Sequence, residues 1–345
     1  MSCGLSKNKA RKAGEVLACE DASEEEKREA ISVVNQWREA HRELFCTIPA
    51  ELKEIAHTVD PNAVVVARIK RIDTIIGKLR CPGLNMKLNE MFDIVGCRII
   101  TEDIRSAQQI SDEIERKLDI KEGTGIKDYI ARPKPNGYRS THIISRHDAP
   151  EAGLSNLFCE TQVRTQLQHA WATALETYDV VTRGSLKFGK GSKDEERLFA
   201  LISNAFAIKE KAPLVPEAPQ DIRTLRDEIL KINEKLFAIE KLRACADSVT
   251  VVSKEGQLSS DALCLLVIDY AMQKTDLYVY GTAEEPLANR MYAEYERSKK
   301  GLEDVLLVRV SSMQNLREAY PNYSTDIARF LDELDSFLGR ASEGS

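Results

Sequence analysis

Apolar positions recur at helical spacing from Ser32 past His57. Val33, Val34, Trp37, His41, Leu44 and Phe45 form a stripe that predicts a core-facing helix. Asp60-Pro61 punctuates it. Helical spacing also predicts elements over residues 64–79, 106–118 and 167–178. Between them lie β-rich runs at 92–101, 140–145 and 157–165. Ile222, Leu225, Ile229, Ile232, Leu236 and Ile239 step three and four apart, which predicts one long helix packed on the body or on a partner helix. Strands are expected at 262–268, 277–280 and 304–310, with helices at 285–299 and 326–337. Ser311 and Gln314 suggest a capping box for a further helix through Glu318. The pattern predicts an α+β fold, a mixed β-sheet flanked by helices. Its parts are a flexible polar tail (1–30), a main body (31–195), a helical segment (196–248) and a small α/β domain (249–345) with a core of its own.

Composition narrows the classes. At 345 residues with 43% apolar and 30% charged positions, the chain can bury a sizeable core. No apolar run approaches the ~18 residues of a membrane span, and the basic N-terminus lacks the hydrophobic stretch of a signal peptide. The expectation is a cytoplasmic chain with no membrane partner. A net charge of −6 argues against general DNA coating but allows local basic sites. The eight cysteines are scattered, with no C-x-x-C and no histidine at zinc-ligand spacing, and read as reduced small hydrophobes.

Three segments are locally basic. Residues 68–80 carry Arg68, Lys70, Arg71, Lys78 and Arg80. There Lys70, Thr74 and Lys78 are spaced i, i+4, i+8, and on a helix would form a row suited either to a polyphosphate or to a solvated face. Residues 127–146 combine cations with the stiff Pro133-Lys134-Pro135, the turn signal Asn136-Gly137 and Tyr138. An aromatic ring held beside cations can stack on a nucleobase; a buried hairpin tyrosine is the alternative. Residues 183–193 form a Gly-rich basic loop. The strand Leu157 to Arg164 has period two. Leu157, Cys159, Thr161 and Val163 face one way, whereas Phe158, Glu160, Gln162 and Arg164 face the other. That polar side is either an outer surface or a cleft wall able to hold a metal ion, a base edge and a phosphate.

Taken together these segments resemble the synthetase domain of the RelA/SpoT family, enzymes that make guanosine polyphosphate alarmones. The resemblance covers about residues 64–182 and rests on four signatures in order. They are Arg68-x-Lys70-x-x-x-Thr74-x-x-x-Lys78, with Thr where Ser is usual; Asp93-Ile-Val-Gly-Cys-Arg98; Asp128-Tyr129-Ile130 with Pro133 to Tyr138 and His142; and Glu160-x-Gln162-x-Arg164-Thr165 with His169-Ala-Trp-Ala172. Gly125 departs from the family's usual charged residue at its position.

The resemblance implies a nucleotidyltransferase-like synthetase domain and an ATP-dependent pyrophosphotransferase acting on GTP or GDP. It assigns Arg68 and Arg98 to the donor adenine, and Lys70, Thr74 and Lys78 to the triphosphate. Asp93 and Glu160 would hold Mg²⁺, with Glu160 also drawing the proton from the attacking 3′-hydroxyl. Tyr138 would stack on the acceptor guanine, with Lys134, Asn136, His142, Gln162, Arg164 and His169 around it. On an ideal strand Asp93 and Arg98 would face opposite sides, so the strand is expected to start after Asp93 or to bulge at Gly96. The His147-Asp148 pair lies inside the synthetase region and reads as a loop accident, so the family's hydrolase half is expected to be absent.

The stretch Gln168 to Glu176 and the sequence Tyr320-Pro321-Asn322-Tyr323 are similar to a subgroup that includes fused toxin–antitoxins of the CapRel type. There a synthetase domain adds pyrophosphate to the 3′ end of tRNA. A Tyr-x-x-Tyr motif in the C-terminal domain covers the ATP site until a phage protein displaces it. That resemblance implies a tRNA acceptor, an autoinhibitory Tyr320 and Tyr323, and activation on deletion of residues 250–345. A buried structural pair of tyrosines is the alternative.

Overall fold

A computed structural model describes residues 5–81, 83–182, 186, 191–246, 250–254, 262–269, 274–298, 303–310 and 327–340. Three helices come first: α1 Lys7–Ala18, α2 Glu24–Ala40 and α3 Arg42–His57. The polar tail expected over 1–30 is thus largely helical. Ala10, Ala13, Gly14 and Leu17 form a buried stripe of mostly small residues that leaves little hydrophobic signal. The Ser23–Glu26 capping box starts α2.

The run expected to be one helix over 64–79 divides into strand β1 (Val64–Ile69) and helix α4 (Ile72–Leu79). Val64, Val65, Val66 and Ala67 are all buried, and a β-branched run covered on both sides suits a central strand. Lys70 stands outside α4, its N–H bonded to the Ile94 carbonyl at 2.8 Å. The single helical row of Lys70, Thr74 and Lys78 therefore does not form.

Strand β2 (Val95–Thr101) and helix α5 (Ile104–Lys117) follow, then strands β3 (Ile126–Asp128), β4 (Thr141–Ala149) and β5 (Leu154–Thr165). His147 lies within β4, not in a loop. Helices α6 (Gln166–Thr182), α7 (Lys193–Glu210), α8 (Ile222–Leu236) and α9 (Ala238–Ala246) come next. The expected long helix breaks at Phe237, whose φ of 51° is left-handed. The chain continues through β6 (Thr250–Lys254), β7 (Ala262–Asp269), β8 (Lys274–Tyr280), α10 (Glu285–Ser298), β9 (Glu303–Val310) and α11 (Ala328–Leu338). Arg183, Lys187 and Lys190 of the basic loop, the capping box at Ser311, and Tyr320 and Tyr323 lie outside the described residues.

The described strands form one nine-stranded mixed sheet in the order β3-β4-β5-β2-β1-β9-β7-β8-β6. β2 and β5 run parallel, and so do β6 and β8. The C-terminal strands do not close a core of their own. β9 pairs with β1, matching Arg68 with Val308. One hydrophobic cluster runs from Trp37, Phe45, Ile48 and Ile75 through Val65, Cys97 and Val163 to Leu265, Tyr292 and Leu307. On the opposite sheet face, Val64, Val66 and Ile100 cluster with Cys264, Leu266, Leu306 and Val308. A third cluster joins α6, α7, α8, α9 and α11 around Trp171, Tyr178, Phe199 and Phe330. Of the described cysteines, Cys97, Cys159 and Cys264 are buried, Cys46 is half-buried, and Cys19 and Cys81 are exposed. Among the described residues no helix is long and apolar enough to cross a membrane.

Candidate functional site

Cross-strand partners share a sheet face, so the register determines which side chains meet. Arg68 pairs with Gly96, Gly96 with Glu160, and Glu160 with Ile144. One step along, Arg98 pairs with Gln162, and Gln162 with His142. Arg68, Arg98, Glu160, Gln162 and His142 therefore share the face opposite the α1–α5 and α10 layer. The alternation in β5 is as expected: Leu157, Cys159, Thr161 and Val163 are buried, while Glu160 and Gln162 are half-buried. Arg68 and Arg98 are diagonal neighbours on antiparallel strands, an offset of about 7–8 Å that suits one flat ring held between two guanidinium groups. Gly96 leaves open space between Arg68 and Glu160, since a Cβ there would meet nothing within 4 Å.

Asp93 sits in the turn just before β2, which begins at Val95. The parity conflict with Arg98 disappears because Asp93 is not a strand residue. Lys70 Nζ and Lys78 Nζ both donate to Asp93 Oδ2, at 2.6 and 2.8 Å. Burial alone would raise the Asp93 carboxyl, but the two ammonium groups outweigh it and hold it well below the usual carboxylate range. Burial pushes Lys70 down to about 8 against the opposing pull of Asp93. Asp93 Oδ1 is buried and has no hydrogen-bond partner among the described residues. Thr74 lies one turn before Lys78 on α4, half-buried.

Glu160 accepts from His142 Nδ1 at 3.1 Å and from Gln162 Nε2 at 3.2 Å. Burial raises its carboxyl, yet the hydrogen bond from His142 prevails and lowers it, while Asp93 acts in the opposite sense. The two carboxylates thus feel one another. With His142 Nδ1 donating to Glu160, its Nε2 accepts from the Tyr138 hydroxyl at 2.8 Å. Among the described residues no group of three or more His, Cys, Asp or Glu could hold a metal. What the cleft offers is two carboxylates, one with an orphaned oxygen. That hard-oxygen set fits Mg²⁺, which keeps waters or phosphate oxygens as its other ligands.

The loop before β4 gathers rings and cations. Lys134 Nζ stands 4.5 Å from the Tyr129 ring centroid and 4.9 Å from that of Tyr138. Tyr129, Tyr138 and His142 make mutual edge contacts at 5.3–6.1 Å. Tyr129 joins this cluster beyond the expected site residues, and its place in the same basic-aromatic run is the signal for it. The Asn136 side-chain oxygen accepts from the Tyr138 N–H at 3.1 Å, so Asn136 shapes the turn. Buried Arg139 fastens the loop to α7 and the segment after it, donating to Ser203 Oγ, Asn204 Oδ1 and the Pro213 carbonyl. Ser203 Oγ returns a bond to the Gly137 carbonyl at 2.5 Å. Sequence pattern gave no sign of this anchorage. Arg164 and His169 are brought together at 2.6 Å and are both buried, Arg164 on the same β5 face as Glu160 and Gln162. Burial pushes the Arg164 guanidinium down to about 9, and Arg98 adds to the effect.

Gly137 has φ of 90°, and a Cβ there would lie 2.7 Å from Ser203 Cβ and 3.0 Å from Ala200 Cα. Gly137→Ala is therefore expected to destabilise the protein by about 1–3 kcal/mol through strain and crowding. An unchanged urea midpoint would show that the loop does not rest on α7 in this way.

Residues 67–178 match the family described as "Region found in RelA / SpoT proteins". GTP pyrophosphokinase YwaC of Bacillus subtilis is 32% identical over 127 residues, covering 34% of this chain and 59% of that protein. GTP pyrophosphokinase YjbM of the same organism is 28% identical over 141 residues, covering 40% of this chain and 66% of that protein. The chain thus spans less than two thirds of the length of these curated relatives. The crystal structure of small alarmone synthetase 1 from Bacillus subtilis, bound to its product pppGpp, aligns with a TM-score of 0.43 and 22% identity over 50% of this chain and 90% of that one. From Arg68 to His169, the clustered carboxylates, cations and rings fall within the residues that match this family.

Proposed function

We propose that this protein is an ATP-dependent pyrophosphotransferase that moves the β,γ-pyrophosphate of ATP to the 3′-hydroxyl of GTP or GDP. The observation that carries the reading is a carboxylate held by two lysines in the turn before β2, within electrostatic reach of a second carboxylate held by a histidine on the sheet face. The names of the relatives, GTP pyrophosphokinase, support it. On the donor side, Arg68 and Arg98 flank the adenine, and Lys70, Thr74 and Lys78 face the triphosphate. On the acceptor side, Tyr138, with Lys134, Tyr129 and His142 around it, receives the guanine, while Gln162 lies along its path. Asn136 and Arg139 hold the loop, and Arg164 and His169 back it.

The 3′-oxygen of the acceptor attacks the β-phosphorus of ATP. The bond from that phosphorus to the α,β-bridging oxygen breaks, AMP leaves, and the hydroxyl proton passes to Glu160. His142 fixes the Glu160 carboxylate, so the base needs no reorientation as the proton arrives. Asp93 and Glu160 would hold Mg²⁺, which when bound offsets negative charge on the transferred phosphoryl oxygens. Lysine and arginine charge placed beforehand around a dissociative phosphoryl transfer supplies much of the rest.

The test is incubation with labelled ATP and, separately, GDP, GTP or tRNA, followed by nucleotide chromatography. The expected result is a labelled guanosine product and AMP. Label on the tRNA 3′ end with none on guanosine would replace this reading by the tRNA one. The autoinhibitory role of Tyr320 and Tyr323 and a phage-protein trigger belong with that second outcome. In the same assay Tyr138→Ala is expected to weaken acceptor use by about 1–3 kcal/mol, the worth of one stacked base, with ATP affinity nearly unchanged. A fall in ATP affinity alone would sink the assignment of the loop.

A further inference from the structure

Helix α4 brings Lys78 to Asp93, yet its own N-cap residue, Arg71, makes no side-chain cap. The first N–H groups of a helix need acceptors from somewhere. One comes from 224 residues away: the Ile72 N–H donates to Glu296 Oε1 at 3.1 Å. Glu296 belongs to α10, beyond the residues that match the family. Its carboxylate is pinned from both sides. Arg38 of α2 donates to Oε2 at 3.0 Å, and the Tyr292 hydroxyl donates to Oε1 at 3.2 Å. Arg38 is itself buried, bonded also to Asn35 and to the Tyr292 oxygen, with its guanidinium over the Tyr292 ring. The Glu296 side chain is only 5% exposed. Negative charge at a helix N-terminus is stabilising, and more so when partly buried.

We propose that Glu296 is a positioning residue for the donor site: it caps α4 from the C-terminal part of the chain and fixes the turn that sets Lys78 against Asp93. The proposal rests on the donor role given above to Thr74 and Lys78. It makes donor binding depend on a segment that the family match does not cover. Glu296 touches no reacting group and acts only through α4.

The experiment uses the full chain. Affinity for a non-hydrolysable ATP analogue is measured by calorimetry, and KM for ATP and for the acceptor by turnover, in Glu296→Ala, Glu296→Gln and Glu285→Gln. Glu285 is the control. It lies on the same α10 and ties it to the body through Arg42 and Arg309, without touching α4. Loss of a cap is expected to weaken analogue binding roughly threefold to thirtyfold in Glu296→Ala. The acceptor KM should not move. Glu296→Gln keeps an oxygen for the Ile72 N–H and should recover part of the loss. Glu285→Gln should lower Tm without a selective change in ATP affinity. Equal ATP effects in Glu285→Gln and Glu296→Ala would overturn the proposal, since loosened docking of α10 would then explain both. So would a folded Glu296→Ala chain with unaltered analogue affinity. If the unsubstituted protein binds no ATP analogue, the donor reading itself fails, an outcome separate from either.

Discussion

Glu160→Gln is expected to lower pyrophosphoryl transfer by about 10²–10⁴-fold, the usual range for removing a positioned proton acceptor, while Tm stays near that of the unsubstituted chain. Gln keeps the shape of Glu160 and an oxygen for His142 Nδ1, which now donates to the carboxylate at 3.1 Å. What disappears is the charge that faces Asp93 and the basicity that takes the proton. Asp93→Asn should abolish transfer as well, but it is not a neutral change for the fold. Lys70 is 5% exposed, and both it and Lys78 are bonded to the same Asp93 oxygen. Removing one partner of a buried pair costs about 3–5 kcal/mol. The loss should sit at the low end, because Lys78 is a third exposed and Lys70, already pushed down to about 8, can shed its proton. Lys70→Met added to Asp93→Asn should then recover part of the Tm and none of the activity. Folded Glu160→Gln protein with ordinary turnover would remove Glu160 from the mechanism.

The polar face of the candidate site is legible in the sequence where a local period carries it. In β5 every second residue from Leu157 to Val163 is buried, so a count of two separates Glu160 and Gln162 from the core. Legibility failed where partners far along the chain decide. Val64 to Ile69 carries apolar residues at spacings that also satisfy a helix, and only burial between β2 and β9 makes it a strand. The spacing of Lys70 and Lys78 suggested a helical row, yet they converge on Asp93 from a coil residue and a helix. The loop before β4 shows its turn and its rings in the sequence, but nothing local indicates that Arg139 locks it to α7. Glu296 reads as one more charge on an amphipathic helix until the fold brings it to Ile72.

The second large effect concerns residues 250–345. A chain ending at residue 249 is expected to lose its cooperative thermal transition and to aggregate, not to become more active. β1 would become an edge strand carrying Val64 and Val66, which now pack with Cys264, Leu306 and Val308. The helical side would lose Leu263, Leu265, Tyr292, Val305 and Leu307 from the same cluster that holds Trp37, Phe45 and Ile75. Each apolar side chain fully uncovered forfeits about 1.5–3 kcal/mol, against a total stability of about 5–15 kcal/mol for a typical protein. A few such losses suffice. α4 would also lose the carboxylate that caps it, so any surviving fold would bind the donor poorly. Restraint by Tyr320 is therefore better tested by Tyr320→Ala in the full chain, where raised basal turnover would favour it. A soluble, cooperatively melting and more active 1–249 chain would refute the shared core and make the C-terminal strands a detachable brake.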